Sequence, residues 1–176
     1  PWQDRDDIKK VIIKEGVTNI EQTAFYGCKE LVSVSIPDSV TEIKEYAFAF
    51  CYNLVDFKIG NSVTTIGKWA FIECYSLTSI TIPDSVTSIG DKAFYDCTGL
   101  TNITIPNSVT YIGSFAFYGC TGLTAVTINC VLPPNIERNT FAENKSGRKF
   151  YVPADAVETY KLADVWSTYA SAIVGY

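Results

Sequence analysis

One segment of the chain, LTSITIPDSVTSIGDKAFYDC at residues 77–97, recurs along most of the sequence at intervals of 23 residues. Columns of leucine, isoleucine and phenylalanine keep this spacing, and so do five of the six cysteines. A fixed period of about 20–50 residues indicates a solenoid, because each unit stacks only on its neighbours. We therefore predict one elongated array of stacked coils.

Within one coil the hydrophobic period changes twice. Alternation of apolar and polar residues over 79–82 predicts a short strand, and Pro83 predicts the turn that follows it. The spacing of apolar residues at 93–97 predicts one short helical or 3₁₀ turn. The side chains that this pattern places in the core are Val86, Ile89, Ala93, Phe94, Cys97, Leu100, Ile103 and Ile105.

The ends of the array depart from the repeat. Arg5 stands where the cysteine belongs in the first coil, and Asn144 and Gly147 replace the cysteine and leucine of the last one. Residues 154–163 predict a helix with Asp155 as its N-cap, which would cover the hollow last coil. We predict about seven coils in a single domain, 1–176, with a capping coil at 1–14, regular repeats at 15–128, an irregular last coil at 129–153 and a cap at 154–176.

The composition argues against several classes of function. A net charge of −5, the absence of histidine and the absence of long basic runs disfavour nucleic acid and anionic membranes as partners. No apolar run approaches the ~20 residues that span a bilayer, so we expect no membrane insertion by this segment. Catalytic motifs, phosphate-binding loops and zinc-ligand spacings are also missing, and we predict neither an enzyme nor a cofactor or metal. The chain begins at Pro1, which we interpret as a mature or trimmed form.

The cysteines of the repeat are expected to be free. Neighbouring coils stack about 4.8 Å apart, which a disulfide could span, but parallel Cβ vectors within a column would strain the bridge. We predict buried thiols that behave as small hydrophobic side chains. Cys130 lies outside the column and is the one thiol for which we expect any reaction in the native protein. The cysteines of the column are Cys28, Cys51, Cys74, Cys97 and Cys120.

The repeat V-T-x-I-x-x-x-A-F-x-x-C-x-x-L-x-x-[VI]-x-I-P, as it stands at Val86–Pro106, resembles the BspA-type leucine-rich repeat. The resemblance extends over residues 8–153, and YVPADAVETYKLADVW resembles the C-terminal cap of the same proteins. Gly60 and Asn61, in place of the turn proline, and the interruption at Leu132–Pro134 depart from the pattern. The resemblance implies an α/β solenoid, a right-handed leucine-rich-repeat array with short parallel strands on its concave face, short helical or 3₁₀ turns elsewhere and a helical C-terminal cap.

The resemblance also implies a secreted or surface-attached protein of host-associated bacteria, or of protists that share the repeat. Some members of that family are implicated in adhesion to host proteins or other cells, and the family has no catalytic residues to transfer. Our leading hypothesis is a non-enzymatic extracellular module that binds a protein. A carbohydrate-binding module and a structural spacer in a larger surface protein are the alternatives.

The concave face of the array is the first candidate site. Concave faces of solenoids are the usual binding surface, and small polar side chains there leave room for a partner. Strands that face solvent favour threonine in any case, so a plain surface is the competing interpretation. The predicted protein-binding residues are Ser33, Ser35, Asp56, Lys58, Ser79, Thr81, Asn102 and Thr104.

A group of aromatic residues outside the inward positions is the second candidate site. Exposed aromatics mark protein interfaces or sugar-binding platforms. Rings that lie flat against the next coil would instead be additional packing. The residues are Tyr46, Tyr52, Trp69 and Tyr75.

Overall fold

Every repeat of the sequence forms one coil, and every coil places a short segment on the same side of the stack. The computed structural model describes residues 2–176. We number the coils 1–7 by the first residue of that segment, which is Lys10, Ser33, Asp56, Ser79, Asn102, Ala125 or Lys149. In chain order the strands are β1 (Lys10–Ile12), β2 (Asn19–Ile20), β3 (Ser33–Ser35), β4 (Glu42–Ile43), β5 (Asp56–Lys58), β6 (Thr65–Ile66), β7 (Ser88–Ile89), β8 (Asn102–Ile105), β9 (Tyr111–Ile112), β10 (Ala125–Ile128), β11 (Asn135–Ile136), β12 (Lys149–Val152) and β13 (Ile173–Gly175).

The segments on this side pair in parallel and form two sheets, with the orders β1-β3-β5 and β8-β10-β12-β13. The register advances by one repeat per coil, so that Val34 pairs with Val11 on one side and with Phe57 on the other. Coil 4 lies between the sheets and has only an isolated bridge, from Thr81 to Thr104 of coil 5. The predicted strands are therefore confirmed in six coils and wrong in coil 4.

A third sheet, which the sequence did not predict, runs along another side of the coils. Its six strands have two residues each and follow the parallel order β2-β4-β6-β7-β9-β11. Each strand ends in a buried isoleucine of the repeat, as at Ile66 and Ile89. These two residues pair across coils 3 and 4, so the third sheet is continuous at the point where the first two sheets are separated.

The turn before each cysteine contains two left-handed residues, which in coil 3 are Trp69 with φ 54° and Glu73 with φ 57°. Its amides alternate between two kinds of partner. Phe71 N donates to Ala93 O of the next coil at 2.8 Å, whereas Ala70 N donates at 3.3 Å to the carbonyl three residues earlier. The 3₁₀-type bonds expected from the sequence thus occur at every second amide, and the remaining amides join the coils.

The core follows the repeat. All eight side chains predicted to point inward between Val86 and Ile105 are buried, with at most 2% of their surface exposed. Phenylalanine rings of successive coils stack face to face from Phe25 to Phe141, with centroids 5.2–5.5 Å apart. Such stacking adds about 0.5–1.5 kcal/mol per pair to the burial of the rings.

All six cysteines are free and buried, as predicted for the column. The four interior thiols of the column each donate to a phenylalanine carbonyl of the preceding coil, as Cys97 Sγ does to Phe71 O at 3.1 Å. Burial raises the pKa of these thiols, and that of Cys120 reaches about 12. Cys130, the one thiol for which some native reaction was allowed, is buried as well: it is 2% exposed and its thiol donates to Pro106 O at 3.2 Å.

The C-terminal cap is mostly helical, as predicted. It consists of a 3₁₀ turn at Ala154–Ala156, the helix α1 at Val157–Leu162 and a second 3₁₀ segment at Val165–Ala172. It then adds the unpredicted strand β13, which pairs in parallel with β12. The predicted capping role of Asp155 is wrong, since Pro153 is the N-cap residue and no side chain bonds the first turn.

Two buried side chains anchor the cap to the irregular last coil. Tyr160 Oη donates to Cys130 O at 2.9 Å, and Trp166 Nε1 donates to Pro134 O at 2.8 Å. Both acceptors lie in or beside the proline-rich interruption of the repeat. The interruption therefore supplies carbonyl groups that the aromatic side chains of the cap satisfy.

Candidate functional site

The outward side chains of the coil segments on the first side form what we call the strand face. Its eight predicted residues occupy two columns, because residues two apart on a strand point to the same side. Asp56 lies beside Ser33, and Lys58 beside Ser35, in the paired strands. Ser33 and Ser35 are half-buried. The predicted residues that the structure exposes are Asp56, Lys58, Ser79, Thr81, Asn102 and Thr104.

A groove opens in the strand face between coils 3 and 4, and we call it the interstrand groove. Its volume is about 560 Å³, which lies within the ~300–1,000 Å³ typical of ligand sites. Residues 55–59 with Asn61 form one wall, and residues 78–81 form the other. Of the predicted binding residues, those on the groove walls are Asp56, Lys58, Ser79 and Thr81.

The groove coincides with a missing set of backbone hydrogen bonds. In the described part of the chain, no such bond joins residues 55–59 to residues 78–82. At the equivalent position between coils 1 and 2, backbone hydrogen bonds join the two coils, as Val32 N does by donating to Lys9 O at 2.8 Å. The backbones of coils 3 and 4 are thus not hydrogen-bonded to each other along the groove.

Gly60 lies at the end of one groove wall and is in close contact with coil 2. Coils 2, 4 and 5 carry proline at this turn position, whereas a Cβ at Gly60 would lie 2.2 Å from Pro37 O. Asn61 N adds a 2.7 Å bond to the Asp38 carboxylate of coil 2. The glycine lets coil 3 dock tightly on coil 2, and the groove opens on its other side.

The sequence reasoning missed the groove, although its signal was present. Gly60 and Asn61 were recognised as a departure from the repeat, but their effect depends on how closely two coils approach. Thr78 also lines the groove and was not among the predicted residues.

A smaller hollow lies on the other side of Asp56 and Lys58. Its volume is about 290 Å³, and it lies over Ser33 and Ser35, whose small side chains leave the space. Asp56 and Lys58 line both depressions. The two opposite charges therefore stand on a ridge between the two hollows.

The predicted aromatic residues form a ladder of stacked rings. Tyr46 lies on Trp69 with centroids 4.9 Å apart and planes 2° apart, and Tyr52 lies on Tyr75 at 5.1 Å. The Lys92 ammonium of the following coil lies 5.9 Å from the Trp69 centroid. Because Tyr46 belongs to the preceding coil, Trp69 has a neighbour on each face of its ring. Tyr75 is the most exposed of the four, at 41%.

The outer edge of this ladder is acidic. Tyr75 Oη donates a hydrogen bond to the Glu73 carboxylate, and this bond raises the pKa of the phenol well above its usual range. Burial, together with the nearby Glu73 charge, also raises the pKa of Asp96. An ordinary phenol is already protonated at neutral pH, and the bond to the Glu73 carboxylate fixes Tyr75 as the donor.

Neither a metal site nor a membrane-spanning helix is apparent in residues 2–176. Histidine, cysteine, aspartate and glutamate side chains there form no cluster of three or more that would suit a metal ion. The helices of the same residues are too short and too polar to cross a bilayer.

One family model, described as a BspA type leucine rich repeat region, matches residues 3–82 and 65–163 in six copies. The T. pallidum leucine rich repeat protein TpLRR is 30% identical, with a TM-score of 0.69, and the match covers 96% of this chain and 86% of that one. A leucine rich cell surface protein from Faecalibacterium prausnitzii is 35% identical, with a TM-score of 0.54 and coverage of 73% and 41%.

The pneumococcal vaccine antigen PcpA shares the fold, with a TM-score of 0.78 at 18% identity. The match covers 98% of this chain and 41% of PcpA, so the chain spans less than half of both this antigen and the F. prausnitzii protein. Comparison with curated proteins finds no match.

Proposed function

The chain belongs to the BspA-type leucine-rich-repeat family, and from that premise we propose a non-enzymatic recognition module that binds a protein partner through the strand face. The proposed location is secreted or attached to the cell surface, and the proposed role is adhesion to host or other-cell proteins. The name of the F. prausnitzii relative, a leucine rich cell surface protein, supports the location.

The placement of Asp56 and Lys58 carries the proposal. Both side chains are exposed on the ridge between two hollows, and neither takes part in an ion pair within the described residues. A partner can therefore meet both charges without breaking an existing pair. The hollows on either side offer room for its flanking side chains.

The expected affinity is modest. Backbone bonds between coils hold most of the strand face rigid before binding, so little entropy is lost on association. Only two charges stand at its centre, and long-range steering is correspondingly weak. We expect micromolar binding, which corresponds to about −8 kcal/mol.

The proposal is tested by capture of proteins from a host-cell surface extract. The double variant Ser79→Lys with Asn102→Lys adds two charged side chains at exposed positions and should abolish capture without unfolding the protein. Asn107→Lys with Thr121→Lys adds the same charge at exposed positions off the strand face and should capture as the wild type does. Capture that survives the first pair but not Trp69→Ala would move the site to the aromatic ladder and overturn the proposal.

Carbohydrate binding is the second candidate, and Tyr75 is the observation that favours it. This ring is 41% exposed and is backed by Tyr52, which would hold it flat for a sugar. Tyr46 and Trp69 are less suitable because their ring faces meet their neighbours. Glycan-array binding that disappears with Tyr75→Ala would establish this role, and binding to neither protein nor glycan would favour a structural spacer.

A further inference from the structure

We infer that the interstrand groove receives an extended main-chain segment of the protein partner, which bonds to backbone groups that coils 3 and 4 leave free. This inference rests on the proposed function and adds the position and the conformation of the bound segment. It concerns one gap in the strand face rather than the whole surface.

Unpaired backbone groups on the groove walls are the first reason. At the step from coil 2 to coil 3, Ile36 N donates to Lys58 O at 3.0 Å. The corresponding amide of the next coil, Ile59 N, has no backbone partner among the described residues, and Thr81 O receives no bond from it. An extended peptide offers alternating donors and acceptors along its edges, which is the complement that such groups lack.

The groove is preformed, which is the second reason. Away from the strand face, coils 3 and 4 stay joined through the pair Ile66–Ile89 and through the stacked rings of Phe71 and Phe94, 5.2 Å apart. Coils 3 and 4 are therefore separated only at the strand face and remain in contact on the other sides of the stack. On the other side of coil 3, Gly60 is in close contact with Pro37 O of coil 2.

The side chains of the groove indicate the chemistry of the segment. Asp56 and Lys58 stand two residues apart on one wall, while the other wall presents the hydroxyl groups of Ser79 and Thr81. Apolar atoms show at the floor, where Phe57 is 5% and Ile80 is 6% exposed, against at most 2% for the equivalent residues Ile103 and Val126. A basic and an acidic residue flanking an apolar one would match this arrangement along the strand.

The length of the segment follows from the longer wall. Five consecutive residues, 55–59, line it, and a strand rises about 3.3 Å per residue. The bound segment therefore has about five residues in contact. We choose as probes two blocked heptapeptides with the central sequences Lys-Val-Glu and Glu-Val-Lys, which cover the two possible chain directions.

Hydrogen exchange of the free protein tests whether the groove exists in solution. The amide of Ile59 should exchange at least about tenfold faster than that of Ile36, which occupies the equivalent position in a paired coil. Equal protection of Ile59 and Ile36 would show that coils 3 and 4 are paired, and would overturn the inference.

Binding of the probes tests the main-chain contact. One of the two heptapeptides should bind, and N-methylation of two alternate backbone amides should weaken it at least about tenfold while leaving every side chain unchanged. The Thr81→Trp variant, which fills the groove from its exposed wall, should lose the probe. Thr121→Trp, at an exposed position off the strand face, should retain it.

A variant designed to close the interstrand groove gives an independent test. Gly60→Pro with Asn61→Asp restores the regular turn of the repeat, and the added ring cannot fit against Pro37 O, so coil 3 should move toward coil 4. We expect the Ile59 amide to become protected and probe binding to fall at least about tenfold.

Different results would reject the inference and the proposed function. If neither probe bound the wild type, or if N-methylation had no effect, a main-chain site in the groove would be rejected. If capture of the surface protein were still lost in the Ser79→Lys, Asn102→Lys variant, the strand-face proposal would stand without the inference. Loss of probe binding in Thr121→Trp as well as in Thr81→Trp would show that the loss is not specific to the groove, and would overturn the inference.

Discussion

Arg148 donates a hydrogen bond from Nη1 to the carbonyl oxygen of Phe141 at 3.0 Å. In coils 1–4 the carbonyl of this column accepts the cysteine thiol of the following coil, as Phe71 O does from Cys97. Arg148 thus provides the hydrogen-bond donor for the last carbonyl of this column, since the chain has no cysteine in a following coil. Its guanidinium lies 4.8 Å from the centroid of Phe150, and burial among such rings lowers its pKa.

Replacing this arginine should destabilise the last coil. Arg148→Met keeps most of the packing but leaves the Phe141 carbonyl without its donor, and we expect a loss of about 1–2 kcal/mol in the free energy of unfolding. Lys145→Met, at an exposed position nearby, should change it by less than about 0.5 kcal/mol. Urea denaturation of both variants measures the difference, and equal midpoints would show that the contact contributes nothing.

The central phenylalanine column should be sensitive to truncation. Phe94 is fully buried between Phe71 and Phe117, with centroids 5.2 Å away on each side. Phe94→Ala should cost about 3–5 kcal/mol because it opens a cavity that the stacked coils cannot close. Asp84→Ala, in an exposed turn, is the control and should cost far less. Similar denaturation midpoints for the two variants would refute the inward assignment.

The buried thiols should make the protein sensitive to alkali. Burial raises the pKa of Cys120 to about 12, whereas an ordinary thiol has a pKa of about 8.5. Above the ordinary value the unfolded chain releases a proton that the native thiol keeps, so stability falls as the pH rises between about 9 and 12. Each such thiol contributes a slope of about 1.4 kcal/mol per pH unit.

Cys120→Ala tests this linkage directly. The variant should be less stable than the wild type at pH 7, yet its free energy of unfolding should decline less steeply, by about 1.4 kcal/mol per pH unit. Denaturation under reducing conditions at several pH values between 8 and 10.5 gives both slopes. Parallel slopes would mean that Cys120 titrates normally in the native protein.

Removing the cap should expose the last coil. Without residues 154–176, the carbonyls of Cys130 and Pro134 lose the donors Tyr160 and Trp166, and the Phe150 ring loses its cover. We expect aggregation, or binding of a dye that reports apolar surface. Leu162→Ser, at a position 82% exposed within the cap, should leave the protein monomeric and should not increase dye binding. A monomeric truncated chain of unchanged stability would show that the tail covers nothing essential.

The 23-residue period determined the coil and its core. Val86, Phe94 and Cys97 could be assigned inward because each recurs at a fixed step, and stacking gives every member of a column the same surroundings. The outward direction of the six exposed residues predicted on the strand face follows from the same step and from the alternation of side chains along a strand. For these features the environment of a residue depends on its place within one repeat.

Only the tertiary structure decided the features that depend on how two particular coils meet. Gly60 lies so close to Pro37 O of the preceding coil that a Cβ would not fit, and the interstrand groove lies on the opposite side of coil 3. The exposure of the Trp69 ring likewise depends on Tyr46 and Lys92, one repeat away on either side. A periodic pattern describes the average coil, so deviations in the contact between neighbouring coils appear only when their backbones are placed together.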